Sequence, residues 1–171
     1  KFDVVSYVSD EKTYYVSDDR VTLLYEDAKP SYASPSTITA GGHTFSISEE
    51  ASRYFQGLTF NRTITLLFDY NGNVAAAFNS ARVGGKVPAI LTELGGEATV
   101  KLLSNGLELK GTPSFSGFPE VDAGDGEGVS SLYAQVGRIV GFSQDNQGRF
   151  TFSTYSFRDT SAGDIDPVKG T

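Results

Sequence analysis

Arg149-Phe150-Thr151-Phe152-Ser153-Thr154-Tyr155-Ser156-Phe157 alternates its side chains with a period of two, the signature of a β-strand. Phe150, Phe152, Thr154 and Ser156 share one face; Thr151, Ser153, Tyr155 and Phe157 share the other. The two phenylalanines predict that the first face is core for at least its first half. Upstream, residues 138–143 form a second apolar run. Gln144-Asp145-Asn146-Gln147-Gly148 between the two supplies turn residues, so the pair reads as an antiparallel hairpin.

Working outward, two more hairpins have the same form. Residues 64–70 meet 74–78 across Asn71-Gly72-Asn73. Residues 98–104 meet 107–110 across Asn105-Gly106, a dipeptide suited to the two positive-φ positions of a type I′ turn. Residues 2–8, 13–16 and 21–25 read as further strands, with Ser17-Asp18-Asp19 turning the chain between the last two. Residues 29–36 carry Pro30 and Pro35 among Ser, Tyr and Ala and read as a loop. Two short helical turns are expected at most. Residues 88–95 begin with Pro and stop at Gly, as short helices do. Residues 46–55 offer Ser46 with Glu49 three positions later.

Composition agrees with this reading. Charged residues make up only 20% of the 171-residue chain, while Gly numbers 19, Phe 12 and Tyr 9. Strands and tight turns use such residues; long helices want Ala, Leu, Glu and Lys. The expectation is an all-β fold, an antiparallel barrel, trefoil or sandwich. It would comprise one β domain over residues 1–158 and a flexible C-terminal tail over 159–171. A small residue, then Phe, then Ser recurs at Thr44-Phe45-Ser46, Ser114-Phe115-Ser116 and Gly141-Phe142-Ser143. That recurrence keeps the trefoil among the alternatives.

The net charge of −7 disfavours phosphate backbones and anionic membranes, so no nucleic-acid partner is expected. The densest apolar run, Ile64-Thr65-Leu66-Leu67-Phe68, is strand-sized and far below the roughly 20 residues of a membrane span. Cys and Met are both absent. Because Lys1 is not a translation start, the expectation is a removed signal peptide or a trimmed chain. Asn61-Arg62-Thr63 is an N-glycosylation sequon, with Asn61 the acceptor.

The chemistry-bearing residues are few. His43, the sole histidine, lies beside Gly41-Gly42, and no Gly-x-Ser-x-Gly elbow exists to give it a nucleophile. Gly141-Phe142-Ser143-Gln144-Asp145 fails that pattern at its last position. No catalytic residue is assigned and no enzymatic activity is expected. Asp122, Asp125 and Glu127 on a Gly-rich loop are the candidate Ca²⁺ ligands, although their spacing is not that of an EF-hand. The competing reading is a solvated acidic loop, and no other cofactor is expected. Tyr7, Tyr14 and Tyr15 are the candidate ligand-binding residues, since tyrosine rings on a β face stack sugars. The competing reading is that they fill strand faces.

Phe2-Asp3-Val4-Val5-Ser6 with Tyr14 and Thr22-Leu23, Glu97-Ala98-Thr99-Val100 leading to Asn105-Gly106-Leu107-Glu108-Leu109, and Gly141-Phe142-Ser143 with Gly148 are three further stretches of interest. Together they resemble the small secreted mannoproteins of yeast cell walls. The resemblance implies a secreted, glycosylated, non-enzymatic wall or surface protein, with a Ser/Thr-rich stalk and lipid anchor signal beyond the globular part. The expected function is therefore a structural or interaction role in a cell wall or extracellular surface. Its partners would be cell-wall or surface glycans, or other surface proteins. The alternatives are a glycan- or small-ligand-binding module and a virion or filament subunit.

Overall fold

The computed structural model of the chain describes residues 3–26, 36–48, 51, 55, 57–80, 85–122 and 128–155. Within these, the strands pair antiparallel and only 6% of residues are helical, which meets the all-β expectation. Two larger sheets carry the core. One holds β8 (Val87–Leu94), β9 (Ala98–Leu102), β10 (Glu108–Gly111), β13 (Ile139–Gln144) and β14 (Phe150–Thr154) in the order β10-β9-β8-β13-β14. The other orders β3 (Arg20–Leu24), β6 (Thr63–Phe68) and β7 (Val74–Asn79) as β3-β6-β7. Three two-stranded ribbons complete the fold. They are β1 (Val4–Val8) with β2 (Thr13–Ser17), β4 (Thr37–Ala40) with β5 (His43–Ser46), and β11 (Glu120–Asp122) with β12 (Gly128–Ser130).

The period-two reading of the last hairpin is realised residue by residue. Phe142 pairs with Phe152 and Gln144 with Phe150, so the inward face of β13 and β14 carries all three phenylalanines. Phe142 and Phe150 meet edge to face at 4.8 Å, and neither is accessible to solvent. The same face continues through Ala89 and Leu91, then Ala98, Val100 and Leu102, then Leu109. The sheet also curls on itself. Leaving β10, Thr112 accepts a hydrogen bond from the Phe150 N–H and Ser114 donates one to the Phe150 carbonyl, both at 2.8 Å. The two edge strands are thereby tied at one end, while no closed barrel forms.

In the smaller sheet β6 is buried on both faces. Ile64, Leu66 and Phe68 join Val21, Leu23 and Ala77 in the core shared with the larger sheet. Thr65 and Leu67 point the other way, and Thr65 is hydrogen-bonded to Thr22 across the strands at 3.0 Å. Two side chains of the β13–β14 hairpin stitch the sheets together. Gln144, which is buried, accepts the Leu24 N–H at 2.7 Å and donates to the Gly148 carbonyl at 2.7 Å. Asn146 accepts the Thr63 N–H at 2.8 Å. The architecture is thus two antiparallel sheets around one core, the sandwich among the expected alternatives.

Several expectations need correction. Residues 88–95 are not a helix but most of β8, a central strand. Pro88 is tolerated there because a residue's N–H and C=O point to the same side in an antiparallel strand. The Pro88 carbonyl accepts from Leu103, just past the end of β9, so the missing N–H faces a place where the neighbouring strand has stopped. The turn at Asn105-Gly106 closes the expected hairpin, yet it is not a two-residue type I′ turn. Leu102 donates to Leu107, leaving four residues between them, and only Gly106 has positive φ, at 73°. Asn105 instead accepts the Leu107 N–H at 3.0 Å through its side chain, which spares its backbone the left-handed conformation. The turn with two positive-φ residues is Gly41-Gly42, at 59° and 76°, where Ala40 pairs with His43.

The threefold recurrence does not survive either. Phe45 and Phe142 are buried strand residues, whereas Phe115 lies exposed in a connection, so the three motifs have different roles. Half of residues 46–55, residues 29–35 of the expected loop and the tail 159–171 lie outside the described residues.

Candidate functional site

The β1–β2 ribbon brings two of the three singled-out tyrosines together. Register pairs Tyr7 with Tyr14 and Val5 with Val16, and directly paired residues share a face. All four are exposed: Val5 by 61%, Tyr7 by 56%, Tyr14 by 69% and Val16 by 67%. The Tyr7 and Tyr14 rings sit 4.8 Å apart, tilted by 40°. Large apolar side chains usually turn inward, so four adjoining ones left outside form a patch rather than scattered surface residues.

Tyr15 belongs elsewhere. Adjacent residues in a strand face opposite ways, so Tyr15 leaves the Tyr7–Tyr14 face and turns to the body of the protein. It stacks on Tyr70 of the β6–β7 turn with centroids 4.7 Å apart and planes 12° from parallel. Its hydroxyl donates to the Glu11 carboxylate, and that bond, with smaller contributions from burial and Tyr70, holds its pKa above the ordinary tyrosine value. Tyr15 and Tyr70 anchor the ribbon; Tyr7 and Tyr14 present its free face.

The ribbon leads into Asp18 and Asp19, the expected turn before β3. Burial chiefly raises the Asp19 pKa, the neighbouring Asp18 charge adds to this, and the Ser104 hydroxyl opposes it. The folded chain therefore holds this proton more tightly than the unfolded one. Its contribution to stability is greatest below the ordinary carboxylate range and falls as pH rises through the raised pKa. Replacing Asp19 by Asn is expected to raise the melting temperature modestly at pH 7. The gain should vanish in melts at a pH where carboxylates are protonated; an equal gain at both would remove charge as the cause.

The other singled-out residues that are described lie in separate elements. Asp122 ends β11, while Asp125 and Glu127 lie outside the described residues. Among the described residues no three His, Asp or Glu side chains gather to hold a metal ion. His43 opens β5 half-buried, its ring 6.3 Å from that of Phe45. Asn61 is exposed in the turn before β6, with φ of 59°. No described helix is long and apolar enough to cross a membrane.

A second aromatic pair was not singled out from sequence. Phe115 stacks near Tyr133 at 6.0 Å; both are exposed, and Tyr133 lies within the 3₁₀ turn Ser131–Gln135. Its members are 18 positions apart, one in a connection and one in a 3₁₀ turn, so neither period two nor turn chemistry could announce the pairing. No family model, curated protein or solved structure matches the chain. Its chemistry has to be read from its own residues.

Proposed function

We propose that this chain is a non-enzymatic surface protein of the extracellular or cell-wall type, acting by contact through the outer face of the β1–β2 ribbon. The observation that supports this is the contiguous exposed row Val5, Tyr7, Tyr14 and Val16 on a ribbon anchored from its other side by Tyr15. A patch of this kind gives water little to bond with and gains from being covered. Asp3, two residues before Val5, and Asp10 in the ribbon's turn adjoin it along the chain, and the whole chain carries −7. Polyanions are repelled, whereas a neutral, hydroxyl-rich polymer finds apolar rings for its C–H faces and acceptors for its hydroxyls.

The tyrosine pair favours a cell-wall or surface glycan as the partner over another protein. The test is retention on columns of insoluble neutral polysaccharide. The parent chain is expected to be retarded, and Tyr7→Ser with Tyr14→Ser is expected to weaken retention at least about tenfold, or roughly 1.4 kcal/mol. Because both rings are exposed, the variant should melt with the parent. Equal retention by both proteins would sink the ribbon as the contact surface. Capture of other wall proteins, lost in the same variant, would keep the surface and replace the glycan by a protein partner.

A further inference from the structure

We infer that Asn61 is a built N-glycan acceptor and that the first sugar packs on the exposed ring of Phe60. The inference rests on the extracellular reading for its setting, but its geometry is independent of the ribbon. Asn61 donates its N–H to the Tyr25 carbonyl at 3.1 Å, and Tyr25 donates its own N–H to the Arg62 carbonyl at 2.9 Å. Two residues thus face one, which makes a β-bulge whose first residue takes the left-handed conformation, φ 59°. Glycine is the usual residue at such a place; asparagine is the side-chain-bearing residue that tolerates it best. The bulge lies directly before β6 and is held by the two Tyr25 bonds and the β3–β6 ladder that follows, so the Asn61 side chain leaves a backbone tied to its neighbouring strand.

Three features of the turn point to a sugar. Asn61 is exposed, and Thr63, the sequon hydroxyl, opens β6 two residues later. Phe60, immediately before Asn61, leaves 53% of its surface to solvent, whereas Ile64, Leu66 and Phe68 of the strand that follows are buried in the core. Consecutive Cα atoms are about 3.8 Å apart, so a pyranose on Asn61 Nδ2 reaches the neighbouring ring. Its axial C–H face would cover an aromatic surface that otherwise stays wet.

The step needs a lipid diphosphate-linked oligosaccharide and a transferase that reads the sequon. A bond forms between Asn61 Nδ2 and the anomeric carbon of the first sugar. The bond from that carbon to the diphosphate oxygen breaks, the lipid diphosphate leaves with the electron pair, and one amide proton passes to base.

The whole chain, secreted from a eukaryotic host behind a heterologous signal peptide, tests this. Intact mass is expected to show a glycan that Thr63→Ala abolishes and Asn61→Gln abolishes as well. Trimming the glycan to its first sugar should leave the melting temperature unchanged. Removing that sugar with an amidase should lower it by about 2–4 °C, the shift of roughly 1 kcal/mol in a chain of this size. In Phe60→Leu, which keeps an apolar side chain without a ring face, the amidase step should leave the melting temperature where it was. A folded, secreted parent without glycan overturns the site and leaves the extracellular reading standing. Equal amidase effects in parent and Phe60→Leu overturn the packing. Retention of the protein inside the cells that make it naturally, with glycan added in the heterologous host, would instead sink the extracellular reading alone.

Discussion

Phe150→Ala is expected to destabilise the protein by about 3–5 kcal/mol, and Gly111→Ala by about 1–3 kcal/mol, for opposite reasons at one contact. Phe150 is completely buried and packs edge to face on Phe142. Truncating it removes apolar burial and leaves a cavity where the two edges of the larger sheet are tied. Gly111 supplies the space that the ring occupies. A Cβ built on it would lie 2.7 Å from Cε1, 2.9 Å from Cζ and 3.2 Å from Cδ1 of Phe150, inside contact distance of a ring that cannot swing into solvent. The two changes are therefore coupled. In Phe150→Leu, the Gly111→Ala substitution should cost less than in the parent, because the shorter side chain leaves room for the methyl group. Urea denaturation of the four proteins measures the cycle, and strictly additive costs would show that the ring and the glycine do not constrain each other.

Gln144→Met is the second change with a large expected effect, a loss of about 2–4 kcal/mol. The side chains have nearly the same length, so packing is conserved and the loss comes from hydrogen bonds. Gln144 is the buried link that accepts the Leu24 N–H and donates to the Gly148 carbonyl, both at 2.7 Å. Methionine satisfies neither, leaving a backbone donor and a backbone acceptor without partners at the seam between the sheets. Gln144→Glu adds a test by charge, since a protonated carboxyl can accept the Leu24 N–H and donate to the Gly148 carbonyl whereas a buried carboxylate cannot donate. Its loss should be small in melts at low pH and grow as the carboxyl ionises. A Gln144→Met chain within about 0.5 kcal/mol of the parent would mean that water reaches these groups and the seam is not a dry one.

The candidate site was half legible. Tyr7 and Tyr14 could be picked out as tyrosines in strand-forming stretches, and period two already separates Tyr14 from Tyr15. That Tyr7 opposes Tyr14 depends on the β1–β2 register, which places residues 9–12 in the turn. That Tyr15 finds Tyr70 depends on how the ribbon meets the β6–β7 turn, a contact 55 residues away in the chain. Asn61 was legible as a sequon, but the bulge that holds it forms only when Tyr25 pairs across β3 and β6.

What the sequence by itself determined is the class of local structure. Alternation at 150–154 specified a strand with Phe150 and Phe152 inward, and the turn residues at 71–73 and 144–148 specified two hairpins that form where expected. These are short-range preferences, settled by neighbouring φ/ψ and by which residues avoid water. What only the tertiary structure decided is register, bulges and the meeting of sheets. Residues 88–95 show why. The inward positions of β8 run Val87, Ala89, Leu91 and then Leu94, because a bulge between Leu91 and Glu93 inserts one residue and Thr92 turns its hydroxyl to the Thr99 carbonyl. A spacing of three after two spacings of two imitates a helical stripe, and the flanking Pro and Gly reinforce the imitation. Only pairing with β9 on one side and β13 on the other supplies the hydrogen bonds that make the strand the lower-energy choice. The four-residue turn at 103–106 follows the same logic. Shifting the β9–β10 pairing by two residues keeps every side chain on its face, so local pattern cannot choose between registers. The choice falls to non-local packing, which sets Leu109 opposite Val100 and Gly111 beneath Phe150.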